Sequence, residues 1–453
     1  MIQKVQRNVW RQARDYMRSY SRSYTDAQLR SNEQSCVVAD RAIARIDIAH
    51  LPANCPTEDY YAAAKCLSSE TFLFGVFDGH GGNACSRYIS TRLFDYISAS
   101  ELKQHIVTDL PIRNRLHWFF TNGDLLDEIY REKHLKNVEI FHKETVSDSK
   151  LTTVKKALEV SFCACDNALS ANALDERHSE LSKQYAEMVL AGSCAIVAHI
   201  RGVNLHVANL GDSAAVLGLR NQGVVSAMTL SKSHCVDNSD EVQRIRDAHP
   251  HSEMNNVIVG GRLFGELFPF RAFGGVRYKW SAGLQKEIFG SKYHSLPHGM
   301  NSPPYLSSSP EVLYHKLTPN DNFMVLATDG LWDYLDPDTV VRLVFDHTLE
   351  MQTLTSHAGT TLKQIHQDLK QRSYRTSKKP LDENSATHLL RYALGGPGEV
   401  SAQYIRLTKM LQLPSGITRR YRDDITIIVI HFNQKYLDHP ETHGCSKIQS
   451  RTP

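Results

Sequence analysis

Three acidic segments, far apart in the chain, sit where an apolar run stops or starts: VFDGHGG (76–82), LATDGLWD (326–333) and YRDDITIIVI (421–430). The runs are short, β-branched or aromatic, and bounded by Gly and Asp, which is the signature of buried strands. One such Asp-Gly pair marks only a turn. Three of them, with a Gly-His-Gly-Gly loop after the first, call for a fold in which distant strands end on a common rim. Asp78, Asp329 and Asp423 gathered there would repel one another, so the rim needs a cation. All-oxygen ligation points to a hard ion, Mg²⁺ or Mn²⁺, rather than zinc.

The chain of 453 residues has room for one large or two ordinary domains, and its 41% hydrophobic and 22% charged composition is that of a globular protein with a sizeable core. A net charge of +3 gives no argument for nucleic-acid binding. Nine scattered cysteines, without a CxxC pair or zinc-type spacing, read as reduced thiols rather than a disulfide framework. No Walker loop, dinucleotide fingerprint or HExxH is present.

Residues 1–25 carry Lys4, Arg7, Arg11, Arg14, Arg18 and Arg22 against the single acid Asp15. At that spacing the arginines form one helical stripe, and with the serines that follow they predict a mitochondrial presequence. The bland alternative is a basic surface helix. Residues 26–42 read as a linker or a first peripheral strand, 43–433 as one catalytic domain with insertions near 103–150, 281–310 and 350–384, and 434–453 as a polar tail.

Within 43–433, strands are expected at 72–78, 193–200, 204–211, 214–220, 322–330 and 425–432. Helices are expected at 83–102, 151–170, 237–248, 336–349 and 386–395. Hairpins and helices mixed in this order predict an α+β fold with antiparallel sheets.

The motifs VFDGHGG, ANLGDSAAVLG (208–218), RAFGG (271–275), LATDGLWD and RDDITIIVI, in this order, resemble those of the metal-dependent, 2C-type serine/threonine protein phosphatases. Longer segments, LPANCPTEDYYAAAKC (51–66), PFRAFGGVRYKW (269–280), PPYLSSSPEVLYHKL (303–317) and NSATHLLRYALG (384–395), look like the pyruvate dehydrogenase phosphatases within that family. The resemblance implies two central antiparallel sheets flanked by helices on both sides, an αββα sandwich. It implies two Mg²⁺ or Mn²⁺ ions held by Asp78, the Gly79 carbonyl, Asp329 and Asp423. Glu58 and Asp59 would hold metal-bound waters, and Asp212 and Asp333 a third ion. His80 would be the general acid toward the leaving serine oxygen, with attack by a water lying between the two metals. The implied substrate is phosphoserine on the pyruvate dehydrogenase alpha subunit, in the mitochondrial matrix. Implied partners are the lipoyl-bearing acyltransferase core, with Ca²⁺ at the shared surface, and a regulatory subunit.

Each residue also has a plainer reading. Asp212 can be a hairpin-turn residue, Asp333 a helix cap, His80 a hydrogen-bond partner of a carboxylate, and Glu58 and Asp59 surface charges. Three positions depart from the family pattern. Asn54 stands where many members carry the phosphate-gripping arginine four residues before Glu58. Gly275 replaces an aspartate, and Ala214 replaces the arginine of Gly-Asp-Ser-Arg. Asp424 adjoins Asp423, and the ligand is assigned to the first of the pair. Competing functions are dephosphorylation of another matrix phosphoprotein, or a catalytically dead scaffold with the same fold.

Overall fold

The computed structural model describes residues 22–120, 128–147, 151–175, 182–290, 296–297, 299–355 and 380–439. Two six-stranded antiparallel sheets pack face to face. The first runs in the order Gln34–Asp40, Ile43–Leu51, Ile425–Phe432, Asp321–Ala327, Ala214–Asn221, Val224–Thr229. The second runs Glu311–Lys316, Asn204–Leu210, Ala195–Arg201, Thr71–Phe77, Tyr60–Cys66, Leu116–Trp118. The αββα class expected from the motifs is the observed one.

Period-two patterning explains the layers. In the last strand Ile428, Ile430 and Phe432 face the other sheet and meet Phe72, Phe74 and Val76, while Ile425, Ile427 and Val429 face outward. That outer face is covered by Pro337–Thr355, Ser385–Gly395 and Val400–Leu411, through Val340, Val344, Leu389 and Leu407. Leu73 and Phe77 of the second sheet turn outward onto Ile89, Phe94 and Phe162 of a second helical layer. Both strands are therefore apolar on both faces, which is why they read as continuous hydrophobic runs. Each large side chain taken out of water this way contributes about 1.5–3 kcal/mol. A smaller lobe around Ile245, Val257, Leu263, Phe270 and Tyr305 builds its own core beside the sandwich.

Several expected boundaries move. Of the two readings of 26–42, the peripheral strand holds and the linker does not: Gln34–Asp40 is an edge strand paired to Ile43–Leu51, and residues 22–29 before it form a helix. Leu29 is buried among the outer helices, and Asp26 pairs with Arg391 at 2.8 Å. The helix expected over 83–102 breaks at Thr91-Arg92 into Ala84–Ser90 and Leu93–Ala99. The insertion at 103–150 contributes Leu116–Trp118 to the second sheet, and 434–438 pack Tyr436 and Leu437 into the inter-sheet core. The arginine stripe of the expected presequence lies almost wholly outside the described residues, as does most of 350–384. Among the described residues no helix is long and apolar enough to cross a membrane.

Candidate metal centre

The register brings the acidic segments to one end of the sandwich. In the second sheet Phe77 pairs with Tyr60, so Asp78, just after one strand, lies beside Asp59, just before the next. In the first sheet Ala327 pairs with both Ile427 and Ala214, which puts Asp329, Asp423 and Asp212 at the same rim. Gly211-Asp212-Ser213 is not a hairpin turn. It crosses from a strand of the second sheet to one of the first, and so carries Asp212 into the mouth between them. Carboxylate oxygens of Asp78, Asp212 and Asp329 lie within 4.8 Å of one another.

Among the described residues no basic side chain is paired with this trio. Burial, followed by the charges of Asp329, Asp59, Asp212 and Asp423, pushes the Asp78 carboxyl well above the usual carboxylate range. Burial, then Asp212, Asp423 and Asp333, push Asp329 up to about 8. The Oδ1 atom of Asp329 is buried without a hydrogen-bond partner. Burial also raises Asp212. Repelling, under-satisfied oxygens of this kind fit a hard divalent cation.

Backbone proximity fixes the frame. A Cβ at Gly79 would sit 2.3 Å from the Glu58 carbonyl oxygen, and one at Gly330 would sit 2.1 Å from that of Asp424. Glycine at each point lets two acidic loops at the end of the same sheet close on each other. Asp59 is buried and accepts the hydroxyls of Thr328 and Thr426, each at 2.8 Å. Burial and the Asp424 charge still raise its pKa. Glu58 accepts the Gly82 amide at 2.5 Å and the Asn54 side-chain amide at 3.1 Å, and burial raises it too. These two acids are integral to the rim rather than loose surface charges.

The adjacent aspartates divide sharply. Asp424 is 1% exposed and accepts the backbone amides of Ala53, Asn54 and Glu58, the Asn54 side-chain amide and the Thr57 hydroxyl. Burial opposes its ionisation, but those donors outweigh burial and hold its pKa low. Asp423 is partly exposed, accepts the Asp424 amide at 2.8 Å and pairs with Arg419 at 2.7 Å. Asp333 is exposed at the C-terminus of the short helix Asp329–Trp332.

His80 lies in a two-residue strand paired with Gly192-Ser193, which pairs in turn with Phe273-Gly274. Its ring lies against Gly192, where a Cβ would be 2.0 Å from Nε2, and that nitrogen is buried without a partner. Burial, then the charge of Lys279, push the imidazole down to about 4, so it is neutral near pH 7. Gly275 takes φ +58°, and a Cβ there would meet Leu306 at 2.7 Å, so glycine stands there for a backbone reason. Arg271 is structural: it pairs with Glu241 and donates to the Ser309 carbonyl at 2.8 Å.

The family model "Protein phosphatase 2C" matches residues 121–374. The human pyruvate dehydrogenase (acetyl-transferring) phosphatase 1, mitochondrial, is 39% identical over 441 residues, covering 89% of this chain and 82% of the relative. The chain belongs to the protein phosphatase 2C family. Human pyruvate dehydrogenase (acetyl-transferring) phosphatase 2, mitochondrial, is 34% identical over 464 residues, covering 95% and 87%. A protein phosphatase 2C homologue of Schizosaccharomyces pombe is 29% identical over 422 residues, covering 90% and 85%. Family membership makes this a metal-dependent protein serine/threonine phosphatase. The matched span includes Asp212, Asp329 and Asp333, while Asp78, His80 and Asp423 lie outside it.

Thr328, Thr426, Gly192, Lys279 and Arg419 went unnoticed in the sequence. Their roles depend on contacts across 98 to 367 residues for the two threonines, and no local pattern encodes such contacts.

Proposed function

We propose that this phosphatase acts on phosphoserine of the pyruvate dehydrogenase alpha subunit in the mitochondrial matrix, and so reactivates that complex. The observation that carries the reading is the convergence of Asp78, Asp212 and Asp329 oxygens in a chain 39% identical to a pyruvate dehydrogenase phosphatase. Mg²⁺ or Mn²⁺ ions would be held by Asp78, the Gly79 carbonyl, Asp329 and Asp423, with Glu58 and Asp59 orienting bound waters and Asp212 and Asp333 serving a further ion. Bound there, such ions activate water and offset phosphoryl charge.

The chain's own residues supply the rest. Thr328 and Thr426 fix one Asp59 oxygen, which leaves the other directed by that grip. Asp424 clamps the 53–58 loop and sets the position of Glu58. His80 would serve the leaving serine oxygen. The neutral imidazole would take a proton from solvent as the phosphate dianion approaches, because a nearby negative charge raises its pKa, and pass that proton to the departing alkoxide. The wider reading includes docking on a lipoyl-bearing acyltransferase core, with Ca²⁺ at the shared surface, and a regulatory subunit. It rests on the family resemblance.

Phosphate release from phosphorylated dehydrogenase alpha subunit, compared with an unrelated phosphoserine peptide under Mg²⁺, Mn²⁺ or chelator, tests this. Preferential, chelator-sensitive release on the dehydrogenase supports it. Equal rates point to another matrix phosphoprotein, and no release on either substrate to a catalytically dead scaffold.

A further inference from the structure

A phosphate monoester arrives as a dianion at a mouth lined by carboxylates, so the protein needs a cation at the entrance. Position 54 does not supply one. The Asn54 side chain is neutral, and its amide is spent on Glu58 at 3.1 Å and Asp424 at 3.3 Å. Among the described residues, the cluster carboxylate with an ion-pair partner is Asp423, and the partner is Arg419.

We infer that Arg419 is the guanidinium that receives the substrate phosphoryl group, from a different loop than the one that leaves position 54 uncharged. The inference rests on the phosphatase reading of the centre. Arg419 lies 2.7 Å from Asp423 with its side chain 54% exposed, so part of its five-donor fork is free to face incoming ligand. Asp423 adjoins Asp424, which accepts the backbone and side-chain amides of Asn54, so the Arg419–Asp423 pair lies one residue along the chain from the aspartate that holds position 54.

Other nearby cations are committed. Arg422 is buried and donates to the carbonyls of Leu51, Pro52 and Asp423. Lys279 is held by Asp166 at 2.7 Å and the Ala272 carbonyl at 2.9 Å. Arg271 is held by Glu241 and Ser309. The bland role for Arg419 is neutralisation of Asp423 alone. That role would leave substrate affinity untouched and would make Arg419 a competitor of the metal.

The test uses the full chain loaded with Mn²⁺, with inorganic phosphate binding read by calorimetry and kcat and KM read on a phosphoserine peptide. Arg419→Met is expected to weaken inorganic phosphate and raise KM by about 10–100-fold, the range for a lost charge-assisted bond. Arg419→Lys should fall between, because it keeps the charge and loses the fork. Asn54→Arg added to Arg419→Met should recover phosphate affinity. Arg420→Met, the neighbouring exposed arginine, should behave as wild type. Unchanged phosphate affinity in Arg419→Met, with tighter Mn²⁺ binding, overturns the inference and leaves the phosphatase reading intact. Loss in Arg420→Met rather than Arg419→Met also overturns it. A wild type that releases no phosphate from the peptide overturns the phosphatase reading, and the inference with it.

Discussion

The Asp424 carboxylate accepts the backbone N–H of Glu58 at 2.7 Å, across 366 residues of chain. Together with its bonds to Ala53, Asn54 and Thr57 it ties the entry of the last strand to the loop that carries Glu58 and Asp59. Its neighbour Asp423 makes none of these bonds and meets Arg419 instead. Two adjacent, chemically identical residues thus carry different duties: one builds the rim and the other lines the mouth.

Substitution should separate them. Asp424→Ala strands one buried and two part-buried backbone donors and is expected to cost about 3–5 kcal/mol, a value in the range for breaking a buried charged network. Activity would fall along with the melting temperature. Asp423→Asn should abolish Mg²⁺-dependent turnover with a melting temperature near wild type. Thermal melts paired with turnover decide it, and similar melts for both variants would count against the division of duties.

The raised pKa of Asp329 carries a sign. Burial and its acidic neighbours lift it to about 8, against about 3.9 in an unfolded chain. Between those values the folded state holds a proton that the unfolded state releases, so the metal-free protein loses stability as pH rises from about 4 to about 8. Asp329→Asn removes that penalty. Without metal, the variant should melt several degrees above wild type at pH 8, with the gap closing near pH 4.5. Excess Mg²⁺ should reverse the order at pH 8, because only the wild type retains the ligand. Parallel melting curves across this pH range would show that Asp329 ionises freely.

The strands and their acidic ends were legible because each is buried on both faces and stops at Asp-Gly or Asp-Asp. The strand over 425–432 has seven apolar or β-branched residues and one histidine, a pattern few other structures satisfy. The edge strand Gln34–Asp40 was legible only as one of two readings, linker or peripheral strand, since its alternate residues are exposed and no apolar period marks it. In the centre, the aspartates stood out by motif. The duty of Asp212 did not, because Gly-Asp-Ser looks the same in a hairpin and in a crossing between sheets. The grip of Thr328 and Thr426 on Asp59, and the ring of His80 against Gly192, exist only after the sheets have paired.

That last relationship makes a prediction. His80→Gln should lower kcat on a serine phosphoester by roughly 10²–10⁴-fold if the imidazole protonates the leaving oxygen. Gly192→Ala should reproduce much of this loss with His80 intact, because its methyl group would occupy the space of the ring, 2.0 Å from Nε2. An aryl phosphate, whose leaving group needs little protonation, should lose far less in both variants. Equal losses on the two substrates would assign His80 to orienting the centre rather than to proton transfer.

The helix over residues 22–29 is tied into the outer helical layer. Thr25 is buried and bonds to Thr408 at 3.0 Å, and Gln28 donates to the Leu411 carbonyl at 3.0 Å. Asp26 takes the Arg391 guanidinium at 2.8 Å and the Tyr404 hydroxyl at 2.7 Å, and Leu29 fills a site among the outer helices. Arg391 is itself buried against Asp382 at 2.6 Å, so loss of Asp26 leaves part of a buried guanidinium without its acceptor. Removal of residues 1–31 should destabilise by about 3 kcal/mol or more through the vacated Leu29 site and the broken pair. If the basic stripe directs import, the mature N-terminus found by mass spectrometry should fall before residue 22. A chain that melts normally after loss of 1–31 would show that the helix contributes nothing to the fold and would reopen the boundary at 25.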